Sequence, residues 1–264
     1  MLTAVKNQIK VTFISVKYAL MREMLNKTTF LMNVIFMILN NASFILQWVV
    51  IYSLKSDVGG YSFGQVLLLW GTAASTFGFA HFFFKKSFSL SDAITNGKLD
   101  SYLVQPKNVL ISAITSDVEP SAIGDLIYGV IMLIVSGLTI PKVLLFILFT
   151  ISGGITMTSF AVILASLSFW FGRADSVADT GNGMITHFAT YPDGIFHGIS
   201  KIILYTIIPA GIINYIPVSV MTTFDVRLTL LVLAITVGMT ALAFLFFYRG
   251  LRRYSSSNLM IAKI

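Results

Sequence analysis

The stretch that decides the fold is Ser89 to Leu110, SLSDAITNGKLDSYLVQPKNVL, a polar interval between strongly apolar segments. Lys85 and Lys86 precede it, and Lys98 and Lys107 lie inside it. Basic loops of membrane proteins stay on the cytoplasmic side, so the interval reads as cytoplasmic. It is also patterned, unlike a plain linker. Leu90, Ala93 and Ile94 have the spacing that shares one face of a short helix. Ser89 and Ser91 are N-cap residue types, and Asn96-Gly97 is a helix stop. Leu99, Tyr102 and Leu103 make a second short apolar face, and Pro106 ends it. The spacing predicts a folded elbow of two short helical pieces over residues 87–106. The plainer reading is an ordered loop that merely joins two spans.

The segments around the elbow are those of an integral membrane protein. Of 264 residues, 56% are hydrophobic and only 11% charged, against about 25% charged in a soluble domain. A soluble core burying that much apolar surface would leave too little polar surface to cover it. The uncharged runs have the length of helices, not of barrel strands. The net charge of +7 sits beside apolar spans. It therefore reads as a topology signal and a contact with anionic lipid, not as a nucleic-acid footprint. With no cysteine, disulfides and thiolate metal sites are excluded. No cleavable signal is evident, and no soluble domain is expected on either side of the spans.

Outward from the elbow, residues 1–27 carry five basic side chains, and Val5, Ile9, Phe13, Val16 and Leu20 recur at three- and four-residue steps. This pattern predicts a basic amphipathic helix at the cytoplasmic interface. Spans are expected at 28–54, 61–84, 121–140, 143–172, within 174–220, and at 228–248. Asn33, Asn40, Asn41 and Gln47 are unusual inside the first; they either line a path or bond neighbouring helices. Asp125, one turn inside the third, either pairs with a basic residue or meets water. Ser152-Gly153-Gly154 in the fourth allows close helix approach. Two readings of 174–220 stay open. In one, a shielded span at 174–191 precedes a broken, re-entrant segment. In the other, a surface helix precedes a span at about 199–220. Pro209 and Pro217 interrupt that apolar run, and each removes a backbone donor. Of the 18 Lys and Arg, all but Lys55, Lys142, Lys201 and Arg227 fall on the side of the elbow and the termini. Both termini are therefore expected in the cytoplasm.

No phosphate-binding G-x-x-x-x-G-K-[ST] occurs, and no G-x-S-x-G surrounds a serine. His81, His187 and His197 lack metal-site spacing. Catalytic residues, a cofactor and a metal are thus not expected in this chain.

The whole pattern resembles a permease subunit of the ABC-2 type of ABC exporters, in its bacterial six-span branch. Three matches carry the resemblance. The first is Ile94-x-x-Gly97-x-Leu99-Asp100-x-x-Leu103-x-x-Pro106-x-Asn108 between the second and third spans. The second is Tyr191-Pro192 followed by Ile208-Pro209 and Tyr215-Ile216-Pro217. The third is the ending Gly250-Leu251-Arg252-Arg253-Tyr254-Ser255-Ser256. The resemblance implies an all-α fold of six spans with an N-terminal interfacial helix, a coupling helix and a re-entrant segment before the last span. It implies that Ile94, Gly97, Leu99, Asp100, Tyr102, Leu103 and Pro106 couple to separate ATPase subunits. Tyr191, Pro192, Pro209 and Pro217 would cap the outer end of a pathway formed with a second permease, identical or homologous. ATP and magnesium would bind two partner ATPases. The location would be the bacterial plasma membrane. Two other classes remain: a channel or secondary transporter, which needs placed intramembrane charge or a repeat, and a membrane-bound lipid-modifying enzyme, which needs a convergent catalytic set.

Overall fold

A computed structural model describes residues 2–172 and 174–255. Ser256, the last position of the third motif, and the basic residues Arg173 and Lys263 lie outside the described residues. The helices are α1 (Leu2–Glu23), α2 (Lys27–Leu54), α3 (Phe63–Phe84), α4 (Leu90–Thr95), α5 (Asp100–Leu103), α6 (Val109–Ile114), α7 (Ala122–Val135), α8 (Ile140–Ser166), α9 (Ser168–Phe171), α10 (Asp175–Phe188), α11 (Ile199–Thr206), α12 (Ile216–Thr223) and α13 (Val226–Leu251). Among the described residues there is no strand, only one isolated bridge between Val58 and Tyr61.

Local chemistry sets the starts of the long helices. The Asn26 side chain accepts from the Thr29 amide ahead of α2. Ser62 and Gln65 cap α3 reciprocally, each side chain meeting the other's backbone amide. Asp225 accepts from the amides of Arg227 and Leu228 ahead of α13. Each cap satisfies donors that the first helical turn leaves open.

Helices α2, α3, α8 and α13 are long and apolar enough to cross a membrane. The third expected span is shorter than its 121–140 prediction. Helix α7 has 14 residues, about 21 Å of helix against a hydrocarbon core of about 30 Å. It stops because Gly137 turns the chain with φ +92°, and Lys142 Nζ donates to the carbonyls of Ser136 and Gly137 at the helix end. The run 199–220 is not one continuous helix. Helix α11 and the segment 211–223 meet at 74° across a break that contains Pro209. A π-helical turn, Gly211–Tyr215, leads into α12.

Helices α3 and α8 form the interior, and α2 and α13 stand at the periphery: 72% and 61% of the first pair's apolar windows are buried, against 17% and 22%. The central core joins Leu68, Leu69, Phe149 and Met157 to Ile213, Tyr215, Val220 and Met221 of the bent segment. Helix α1 docks through Val16 and Ala19 onto Val118, beside Leu20 and Phe82. The outer part of its apolar stripe, Ile9 and Phe13, stays exposed.

An ion cluster fastens α1 to the base of the bundle. Asp117 pairs with Arg22 of α1 and with Lys85 and Lys86 after α3, while Lys85 also reaches Glu119 at 3.2 Å. Burial opposes the charge on Asp117, but Lys85 and Lys86 outweigh it and hold the carboxyl below its usual range. A depressed acid stabilises the fold above its unfolded value of about 3.9 and loses that contribution as pH falls through the folded value. Asp117→Asn should therefore cost about 1 kcal/mol near neutrality, since the partners are half exposed. The difference in melting temperature from wild type should shrink between pH 5 and pH 3, about two pH units of titration. Melting curves of purified protein across that range check it; a difference that holds constant at low pH would remove the latch.

Candidate functional site

The elbow folds as two short helices, α4 and α5. Gly97 follows the end of α4 with φ +70°, a conformation cheap only for glycine. The Lys98 amide reaches back to the Ala93 carbonyl at 2.9 Å, the bond that closes a glycine-ended helix. Ser89 precedes α4 without capping it through its side chain; the Ser91 hydroxyl instead bonds Ser168. Lys98 pairs with Asp92 at 2.6 Å, and the Tyr254 hydroxyl donates to Asp100 Oδ1 at 2.9 Å.

The expected shared face of Leu99, Tyr102 and Leu103 does not form. Leu99 is fully buried with Leu90 and Ile94 in a core that includes Leu110, Val162, Phe169 and Phe247. Tyr102 packs partly against that core, whereas Leu103 is 43% exposed. The reason is local. Leu99 sits at the N-cap, ahead of the first turn of α5, so it does not share the direction set by the helical repeat. The exposed apolar residues of the elbow are Leu103, Val104 and Pro106. Val104, 84% exposed, was missed because it is the C-cap of a four-residue helix and belongs to no periodic face.

At the opposite end, Tyr61 and Tyr205 donate to the two oxygens of Asp193 at 2.9 and 2.7 Å, and Lys201 pairs with it at 2.9 Å. Asn214, fully buried in the π-helical turn, donates to the carbonyls of Leu69 and Ala189. Pro192, Pro209 and Pro217 are buried within this packing, while Tyr191 is 45% exposed and stands edge-on to Trp48 with ring centres 6.0 Å apart.

Tyr191 also lines a groove of about 450 Å³ between α2, α3, α7 and α10. From α2 come Asn40, Asn41, Phe44, Gln47 and Trp48; from α3, Trp70, Phe77 and His81; from the α7 start, Glu119, Ser121 and Asp125; from α10 and its end, Thr186, His187, Thr190 and Tyr191. Along α2 it runs from Met37 to Ile51, about 21 Å of helix. One of the α2 polar residues bonds a neighbouring helix, and others line the groove. Asn41 Nδ2 donates to Asp125 Oδ1 at 2.6 Å, tying α2 to α7; Asn40 and Gln47 line the groove. Asp125 thus pairs with an amide, not with a basic residue. His81 donates from Nδ1 to the Phe77 carbonyl at 2.9 Å and stacks on Phe88. Among the described residues, no group of His, Asp and Glu has the arrangement of a metal site.

Two regions therefore carry chemistry. One is an outward elbow surface at the base of the bundle. The other is a long, aromatic, acid-bearing groove along its side. No curated protein and no solved structure matches the chain. The family model described as ABC-2 family transporter protein matches residues 37–258, which takes in the groove, the elbow and the bent segment. The chain is a multi-pass membrane protein that belongs to the ABC-2 transporter family, the membrane permease component of an ABC transporter.

Proposed function

We propose that this chain is the membrane-spanning subunit of an ATP-driven exporter, paired with a second permease, identical or homologous, and with two ATPase subunits. The family match over residues 37–258 carries the reading. Helices α2 and α13, with most of their apolar surface outward, offer faces that lipid and the second permease would cover. In this reading residues 87–106 transmit the motion of the ATPases, with Leu103, Val104 and Pro106 meeting the partner and Ile94, Gly97 and Leu99 holding the elbow's shape. Tyr191 to Pro217 caps the outer end of the pathway. Helices α7 and α10 complete six crossings with the help of the loops that extend them. The test is co-purification with candidate ATPases followed by ATP hydrolysis in lipid. An ATPase that co-purifies and hydrolyses ATP under control of this chain supports the reading. A chain that never retains one overturns it.

The orientation is testable on its own, because the chain has no native cysteine. Asn7→Cys and Ser255→Cys should resist impermeant thiol reagents in intact cells, and exposed Ser56→Cys in the α2–α3 turn should react. Labelling of either terminal site from outside would refute a bacterial plasma-membrane protein with both ends cytoplasmic.

A further inference from the structure

The groove has a definite charge character. Two carboxylates line it and no Lys or Arg does. Glu119 is matched by Lys85 at 3.2 Å. Asp125 is not: its bond is to the neutral amide of Asn41, and no salt bridge to it forms among the described residues. A carboxylate on an apolar helix face is costly to keep charged, and a positive group beside it lowers that cost.

Beside it stands an aromatic wall. Phe44 stacks on Trp70 with ring centres 5.5 Å apart, and Trp48 contacts Tyr191. Trp70 is 8% exposed, yet its indole N–H has no hydrogen-bond partner. A buried tryptophan normally satisfies that donor. The ring of Trp70 lines the cavity. Electron-rich ring faces attract cations and repel anions. A volume of about 450 Å³ lies in the range of small-molecule sites.

We propose that the groove binds an amphipathic organic cation, its charged head at Asp125 and its apolar body along Phe44, Trp48 and Trp70. The inference rests on the groove belonging to the transport pathway, and it adds the substrate class. Charge selects the ligand, because an anion of the same shape would face Asp125 unpaired.

Tetraphenylphosphonium and tetraphenylborate are nearly equal in shape and opposite in charge. Their binding to the full chain in lipid nanodiscs, with binding to empty nanodiscs subtracted, reads the preference directly. The phosphonium should bind at least about tenfold more tightly, which corresponds to 1.4 kcal/mol. Asp125→Asn should remove that preference, and Asp125→Glu should keep it. Gln47→Lys puts a cation at an exposed lining position; by offsetting Asp125 it should weaken the preference, and it serves as the second variant where Asp125→Asn fails to fold. Equal binding of both ions to wild type, or tighter binding of the borate, would overturn the proposal. The assay needs no ATPase, so the two readings fail separately. Charge-blind binding in a chain that still retains its ATPase sinks only the cation. A phosphonium preference in a chain that retains no ATPase sinks only the exporter.

Discussion

Leu99→Asp will leave the membrane fraction nearly empty of this protein, whereas Leu103→Asp will accumulate in normal amount and fail to hold the ATPase. The two leucines are four residues apart and both lie in the elbow, but their environments differ. Leu99 is completely buried between Leu90, Ile94, Leu110 and Phe247. A carboxylate there would have no water. The cost is several kcal/mol, a large part of the about 5–15 kcal/mol that holds a typical fold together. Leu103 and Val104 are 43% and 84% exposed, so a charge at either stays solvated and the chain still folds. What it spoils is an apolar seat on a soluble partner, the arrangement by which a short helix anchors in a groove. Leu103→Asp combined with Val104→Asp should cut retention of the ATPase by at least about tenfold, or 1.4 kcal/mol. Immunoblots of membrane fractions, gel filtration and ATPase pull-down read the three quantities. Normal accumulation of Leu99→Asp would mean that the elbow core does not exist. Full retention of the ATPase by the Leu103 and Val104 double variant would reduce the elbow to a loop.

The elbow also shows how far the sequence reaches. Gly97 was legible because a glycine after a short amphipathic run has one common use, and its φ of +70° fits that use. Leu99 was not, because periodicity assigns a face only where a helix has already started, and α5 begins at Asp100. The long helices α2, α3, α8 and α13 were legible from uncharged length alone. Helix α7 ends early through Gly137 and Lys142, and Lys142, read only as a basic residue on the side away from the elbow, gave no sign that it would cap a helix. In the groove, Asn40, Asn41, Gln47 and Asp125 each drew notice as polar residues in apolar runs. That Asn41 meets Asp125 is a pairing across 84 positions, which no local pattern encodes. Trp48 and Trp70 looked like ordinary span residues; their role as a wall depends on how α2 and α3 rotate about their axes.

That rotation depends on a close approach between α3 and α7, and Gly129 is where it can be broken. In lipid the association of helices rests on packing, so small residues decide how near two backbones come. A Cβ at Gly129 would overlap Ser75 Oγ and stand 2.6 Å from the Gly71 carbonyl oxygen. The serine hydroxyl can rotate away. The carbonyl is backbone, so α3 and α7 must separate. The approach is mutual: a Cβ at Gly71 would lie 3.1 Å from the Gly129 carbonyl and 2.8 Å from Met132 Cβ. Separation moves Trp70 and Ala74 on one helix away from Asp125 on the other, which opens the groove along its length. Gly129→Ala should therefore cost about 1–3 kcal/mol, the usual penalty of overpacking, and Gly129→Leu should prevent accumulation. Gly238 on α13 is the internal control, because a Cβ there meets nothing within 4 Å. Gly238→Ala should be neutral or stabilising by up to about 1 kcal/mol, since alanine is the better helix former. Thermal unfolding of the purified variants in one detergent reads both changes together. If Gly129→Ala melts with wild type, α3 and α7 do not pack backbone to backbone, and the groove wall must be built another way.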